Sequence, residues 1–433
     1  MPRLGLVRER RPLAPFAWAL LTLPFGLASG FASVAVPFVL RGRGLSMTTI
    51  ATVSQVAQIP HVIKLIWSPV LDAGWRRRTW FFGSVVLAAA GLAATALLPP
   101  SLTEFVGPIP LLWVYTAALF TAQAAVATSG SAVLALMALT VPDTRRGAAS
   151  GWQTSGNLVG TAVGGALVTW MLTHTSPAAT AIAVATICLA SAAPAALIHE
   201  EPTPRRSASL LIRQLLNEMR RTLRSRDGWT GMVICLSPVG AGALTNLFSA
   251  LAKDYTPDAA AAERLVLLVN GVLGGLVNAA GALLGGYVAD RMNRRLAYVL
   301  FGAATAACAV GMMIAPSTPT AFALGCLAYQ LANGFCFATF YAFVLELLGH
   351  RDGVATQLAL YIGASNFAIS YVTWLDGWGY DRLKALWPTS RVGARNGMLG
   401  MDALATLAGI GLLSAITWYL RRRSRVSPSA TAT

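Results

Sequence analysis

Charge is scarce in this sequence, and negative charge is scarcer still. Of 433 residues only 12% are Asp, Glu, Lys or Arg, with 17 acidic against 33 basic, while 55% are apolar and the mean hydropathy is +0.60. A soluble domain carries about 25% charge, so the composition excludes an ordinary globular protein and points to a bilayer. Cysteine is sparse as well. Cys188, Cys235, Cys308, Cys326 and Cys336 all fall in apolar stretches without a C-x-x-C pair, and no histidine stands at ligand spacing. No metal is implied, and the cysteines read as packing residues. The sequence also lacks a P-loop, an H-E-x-x-H motif and a nucleophile paired with a base, which speaks against ATP-driven transport and against a membrane enzyme. The first apolar stretch has Arg-rich flanks and no small-residue cleavage site, so it is expected to stay as a helix.

What is present is length of apolar run. Stretches of about 20 residues, enough to cross roughly 30 Å of hydrocarbon, recur twelve times. Those of the first half run from Pro15 to Leu40, Met47 to Leu71, Trp80 to Leu98, Pro110 to Thr140, Ala148 to Leu172 and Ala178 to Ile198. The second set runs from Thr230 to Ala252, Leu265 to Ala289, Leu296 to Pro316, Thr320 to Leu348, Gly353 to Leu375 and Gly397 to Leu420. The expectation is an all-α polytopic membrane protein of twelve transmembrane helices in two six-helix bundles, residues 1–198 and 230–433. A cytoplasmic central loop, 199–229, would join them, with an Arg-rich amphipathic segment around Leu210 to Leu223 lying on anionic headgroups.

The net charge of +16 raises the question of a nucleic-acid partner. Its distribution answers no, because the excess follows the loops on one side. With the N-terminus inside, 24 of the 33 basic residues fall on the cytoplasmic side, eight outside, and Lys64 alone in the membrane. This asymmetry places the protein in the cytoplasmic (inner) membrane with both termini cytoplasmic.

The two halves repeat a signal after their second spans. One copy is Ser68-Pro69-Val70-Leu71-Asp72-Ala73-Gly74-Trp75-Arg76-Arg77, and the other is Gly286-Tyr287-Val288-Ala289-Asp290-Arg291-Met292-Asn293-Arg294-Arg295. The small residue would let helices approach closely, the Asp would pair with a helix N-terminus or an Arg, and the Arg residues would stay at the anionic surface. This pattern resembles the loop signature of the major facilitator superfamily. That resemblance implies two bundles rocking about a central site, with Asp72, Arg76, Arg77, Gly286, Asp290, Arg291, Arg294 and Arg295 gating the inner side. The longer string Lys64-Leu65-Ile66-Trp67-Ser68-Pro69-Val70-Leu71-Asp72 is similar to that of the AmpG-type permease and acetyl-CoA transporter group, as are Ala355 to Leu360 and Pro142 to Ala148. Members of that group carry acidic residues on the fourth helix, where this chain reads Ser129 to Met137 without one.

The remaining polar residues suggest where a solute would sit. Ser54, Gln58, His61, Lys64 and Ser68 fall within an arc of about 120° on one helix. Holding Lys64 in the bilayer costs roughly 2.5–3.5 kcal/mol, which an anionic ligand could offset, or helix carbonyls if its role is structural. His61 either exchanges protons or is a neutral bundle histidine. Trp67, Asn333, Phe337, Gln357 and Tyr361, with Tyr329, Phe340 and Tyr371, are cavity candidates. Gln153, Asn157, Asn270 and Asn278 share faces with Gly156, Gly160, Gly164, Gly274, Gly281 and Gly285, a pattern of tight packing with amide hydrogen bonds. The acids Asp72, Asp143, Asp290, Asp352 and Glu346 fall near inner ends, and Asp376 and Asp402 toward the outer face, so no carboxylate is expected at the bilayer centre. The sequence therefore predicts a secondary permease for an organic, anionic solute such as a muropeptide or siderophore. A non-transporting sensor and an exporter of a conjugated metabolite are the alternatives. Its partners are lipid and a small solute rather than nucleic acid or ATP. No cofactor is implied, and proton or counter-ion coupling and oligomeric state stay open.

Overall fold

Long apolar runs cannot leave backbone amides unpaired in hydrocarbon, and helices satisfy them within one segment. A computed structural model describes residues 13–67, 71, 75–98, 104–106, 109–142, 145–200, 207–348 and 354–426. It is all-α apart from a two-stranded ribbon, β1 (Phe105–Val106) antiparallel to β2 (Ile109–Pro110). Among the described residues nine helices are long and apolar enough to cross a membrane, and the chain is a polytopic membrane protein.

The first half of the chain contains α1 (Pro15–Gly30), α2 (Val36–Gly42), α3 (Met47–Ile63), α4 (Arg77–Leu97), α5 (Leu111–Thr140), α6 (Arg146–Ala162), α7 (Val168–His174) and α8 (Pro177–Ser191). The connector supplies α9 (Ala208–Arg224). The second half holds α10 (Arg226–Leu236), α11 (Phe248–Leu251), α12 (Ala259–Leu265), α13 (Gly274–Ala289), α14 (Arg294–Ile314), α15 (Pro319–Leu348), α16 (Val354–Leu386) and α17 (Arg391–Val426). Starts follow local chemistry. Ser176 caps α8 ahead of Pro177, Asn293 caps α14, and Asp258 caps α12, each side-chain oxygen accepting an otherwise orphaned N–H.

Helices α1 and α6, α4 and α5, α13 and α15, α14 and α15, and α16 and α17 form extensive pairs, and α3 crosses from the first half of the chain onto α16. The glycine and amide faces predicted to pack do so. A Cβ on Gly156 would lie 2.1 Å from the Ala19 carbonyl oxygen, so α1 and α6 touch backbone to backbone. On the other side Asn278 donates to the Gln330 carbonyl at 3.1 Å, tying α13 to α15. All five cysteines are free. The connector helix α9 leaves Leu210, Leu216 and Leu223 exposed beside its arginines, the character of a helix lying on a lipid surface.

Two expected spans are corrected. The stretch from Met47 to Leu71 is helical only to Ile63, after Pro60, and tightens to a 3-10 turn over Lys64–Ile66. The stretch from Thr230 to Ala252 is broken, because Pro238 lacks an N–H and Gly240 and Gly242 take φ of +54° and +69°, conformations that other residues avoid. The freed carbonyls find partners: Tyr371 donates to Leu236 at 2.8 Å, Tyr298 to Val239 at 2.9 Å and Thr373 to Ala243 at 3.4 Å. Three π-helical turns, Phe31–Ala35, Val163–Leu167 and Val266–Leu273, meet one another across the two halves of the chain.

The α1/α6 contact gives a direct test. Gly156→Leu should lower the stability of purified protein by roughly 3 kcal/mol, the upper range for overpacking, read as a fall in Tm. Gly151→Leu, where nothing lies within 4 Å of the added Cβ, should be near neutral.

Candidate functional site

The polar face of α3 meets partners from both halves of the chain. His61 Nε2 lies 3.0 Å from Gln123 Oε1 on α5, and Gln123 Nε2 donates to the Ala28 carbonyl at 2.9 Å. With its amide N–H committed to Ala28, Gln123 offers an acceptor, so His61 carries its proton on Nε2. The Phe25 ring stands edge-on to the imidazole at 5.6 Å, and Asn366 of α16 donates to the His61 carbonyl at 3.2 Å. His61 is thus tied into the bundle from both α5 and α16. Gln123, fully buried, is the partner that sequence reasoning missed, because a lone Gln in an apolar span shows no period.

Lys64 is half-buried at the C-cap of α3, on the turn that packs against α16. The helix C-terminus favours a cation there. Gln58, six residues earlier, is half-buried. The residues flanking Lys64, namely Val62, Ile63, Leu65 and Ile66, line a cavity of about 270 Å³ with Met219, Met232, Leu360 and Phe367. Trp67 instead belongs to a second cavity of about 340 Å³ with Trp80, Phe120 and Thr128, and donates to Thr128 at 3.2 Å. Phe337 lines a space of about 10 Å³ beside Val239 and Tyr298, room for one water. The predicted ligand set is therefore divided among separate spaces.

Two of the cavity candidates are structural in position. Tyr361 is buried and donates to the Gly228 carbonyl at 3.2 Å, while Asn333 is buried against Gly242. Gln357 is half-buried near the start of α16. Among the expected gating residues, Asp72 lies outside the described residues, as do Asp143 and Asp352. Arg76 is exposed, and Arg77 faces Glu200, whose carboxylate accepts the Arg77 and Arg78 backbone N–H groups at 2.9 and 3.0 Å. Gly286 has open space around its Cβ position, so the close approach expected there is corrected. Asp290 is exposed, Arg291 stacks 3.3 Å over the neighbouring Tyr287 ring, Arg294 reaches Glu346 at 3.6 Å, and Arg295 lies over Phe343.

The opposite end of the helices carries a latch that the sequence did not disclose. Arg41, at the end of α2, pairs with Asp254 at 3.3 Å and donates to the Tyr380 hydroxyl of α16, with its guanidinium 4.9 Å over the Tyr380 ring. Asp254 keeps 6% of its side-chain surface and Arg41 14%. Beside them Asp381 accepts from the Met47 and Thr48 N–H groups at 3.1 and 2.7 Å, placing a carboxylate on the N-terminus of α3. A Cβ on Gly377 would meet the Met47 carbonyl at 2.6 Å. Both contacts join the two halves of the chain and close that end.

Asp376 and Asp402, expected toward the outer face, are fully buried on α16 and α17, with Asp376 one turn from Tyr380 of the latch. The hydroxyl of Tyr329 sits 3.1 Å from each oxygen of Asp402.

Residues 18–373 match a family model described as Major Facilitator Superfamily. Curated relatives include the anhydromuropeptide permeases of Escherichia coli strain K12 and Escherichia coli O157:H7. Each is 26% identical over 370 residues, covering 82% of this chain and 71% of the relative. The fold is similar to that of a solved nucleoside transporter, NupG, at a TM-score of 0.69 and 12% identity, with 92% and 98% of the two chains covered. It is also similar to a D-xylose-proton symporter at 0.63 and 16% identity, covering 92% and 95%. A bacterial homolog of the human lysosomal transporter Spinster, inward-facing and unoccupied, gives 0.63 and 13% identity over 96% and 98%.

Breaking the latch leaves a buried charge without its partner, which costs roughly 3 kcal/mol and shifts a two-state equilibrium about 100-fold. Arg41→Ala should therefore raise labelling of a Ser54→Cys reporter, buried in the closed state, by a membrane-impermeant maleimide. Unchanged labelling would show that the pair does not hold this end shut.

Proposed function

The chain belongs to the Major Facilitator Superfamily, and from that premise we propose that its cargo is an organic anion of the muropeptide type, taken up along the seam beside Lys64. It is a secondary-active transporter that moves a small solute across a membrane. Twelve spans in two bundles, 1–198 and 230–433, account for the helix pairings, with 199–229 as a surface connector. In this reading the Arg-rich end is cytoplasmic, and the Arg41–Asp254–Tyr380 latch closes the outer mouth. Asp72, Arg76, Arg77, Gly286, Asp290, Arg291, Arg294 and Arg295 then belong to the inner gate.

The observation that carries the anionic cargo is the placement of Lys64. It stands on the turn where α3 meets α16, beside a cavity whose lining comes from both halves of the chain and from α9. An ammonium on the turn beside these apolar walls would supply the positive end that a carboxylate requires, and the walls suit the rest of an organic solute. The likeness to anhydromuropeptide permeases supports the choice of solute class. His61, bonded to Gln123 within the bundle, positions α3 rather than contacting the cargo.

In proteoliposomes containing the full chain, uptake of an anhydromuropeptide should be measurable. Lys64→Gln should raise its KM about 10- to 100-fold, the value of one charge-assisted hydrogen bond, while Lys64→Arg should recover part of it. A drop in Tm with unchanged KM would assign Lys64 to the C-cap of α3 alone. Ligand binding without flux would make the protein a sensor.

A further inference from the structure

We propose that Asp376 and Asp402 form a protonation site in which Asp376 holds the proton and Asp402 is the ionised partner, one helical turn below the Arg41–Asp254–Tyr380 latch. The proposal rests on the transporter reading, but not on the identity of the cargo.

Two carboxylates share the interior of α16 and α17, each with 1% or less of its surface exposed. They stand within electrostatic reach of each other and of Tyr329. Like charges this close in a low-dielectric interior cannot both remain ionised. The hydrogen bonds distinguish the two. Tyr329 shares its O–H between the Asp402 oxygens, and the Leu244 backbone N–H also donates to that carboxylate. Asp402 is thus an acceptor of two donors, the pattern of an ionised group. Both oxygens of Asp376 are buried without a hydrogen-bond partner. An ionised carboxylate in that position would bear the full cost of desolvation, whereas the neutral acid would not.

Among the described residues no cation is bonded to either carboxylate. Arg395, two turns from Asp402 on α17, gives its donors to Ser317 and to the Met313 and Ala315 carbonyls, and stacks on Tyr255. Arg41 is engaged by Asp254 and Tyr380. On α3, Met47 and Ala51 pack against Gly377 beside Asp376, and neither is titratable. The broken segment between α10 and α11 adds a second, independent sign. Asn246, on its 3-10 turn, bonds Thr373, one turn before Asp376. Buried Asn333, one turn after Tyr329, leaves its Oδ1 unpartnered against Gly242. Irregular backbone and unsatisfied polar atoms at membrane depth mark coupling-ion sites in transporters.

Asp376 and Tyr380 are four residues apart and share a face of α16. The latch therefore seals the approach to the acid pair from that end, and opening it admits water to Asp376. A proton loaded there in the open state is carried when the latch closes.

Infrared spectroscopy of the purified full chain at neutral pH should show the carbonyl stretch of a protonated carboxylic acid, and Asp376→Asn should remove it. Because Asn is isosteric with the neutral acid, Asp376→Asn should keep or raise Tm, whereas Asp402→Leu, which leaves the buried Tyr329 hydroxyl without its acceptor, should lower it. In proteoliposomes, Asp376→Asn should preserve exchange of anhydromuropeptide across the membrane but abolish its accumulation in response to a pH gradient. A wild-type spectrum without a protonated-acid band, or a band that survives Asp376→Asn, overturns the proposal. Stabilisation of the wild type by Na⁺ that is lost in Asp376→Asn also overturns it, by assigning the pair to a metal cation. The infrared and Tm readouts need no cargo, so absence of muropeptide flux with the expected spectrum would count against the cargo reading only.

Discussion

A charge buried among apolar helices costs several kcal/mol unless something answers it, and this constraint organises the seam between the two halves of the chain. Arg41 is answered by Asp254 and Tyr380, the N-terminus of α3 by Asp381, and the N-terminus of α4 by Glu200. The first two join segments more than 200 residues apart. Contacts of this kind have two discrete states, made or broken, which is what a rocking transporter requires of its ends.

Irregular backbone is concentrated in the same region. The three π-helical turns meet across the halves, and the segment between α10 and α11 unwinds where Gly240 and Gly242 pass close to Cys336 and Asn333. The unwound segment exposes carbonyls, and Tyr298, Tyr371 and Thr373 satisfy them. Tyr361 and Tyr371, expected from the sequence to line a cavity, are thus spent on backbone carbonyls. The hydrophobic cavities lie instead near Lys64 and Trp67, at the level where α3 has lost its regular helix.

Much of the architecture was legible from composition alone. Apolar runs, the glycine faces of α6 and α13, the amphipathic connector and the free cysteines needed only periodicity and length, because in hydrocarbon the backbone has few alternatives to a helix. The site was less legible. Gln58 and His61 lie on α3 and Lys64 on the turn that follows it, but nothing in the sequence paired His61 with Gln123. The burial of Asp376 and Asp402 was not legible either, because it depends on how α16 and α17 pack and not on the apolar stretches that mark them.

The sequence by itself determined that this chain lives in a membrane, which end of its helices carries the basic excess, and which segments pack backbone to backbone. These are properties of local composition, and each is decided within about 20 residues. Only the tertiary structure decided which polar residues meet: Arg41 with Asp254, His61 with Gln123, and Tyr329 with Asp402. Those pairings depend on how helices distant in sequence cross in space. A single polar residue within an apolar span records that a partner must exist, because burial demands one, but not which helix supplies it.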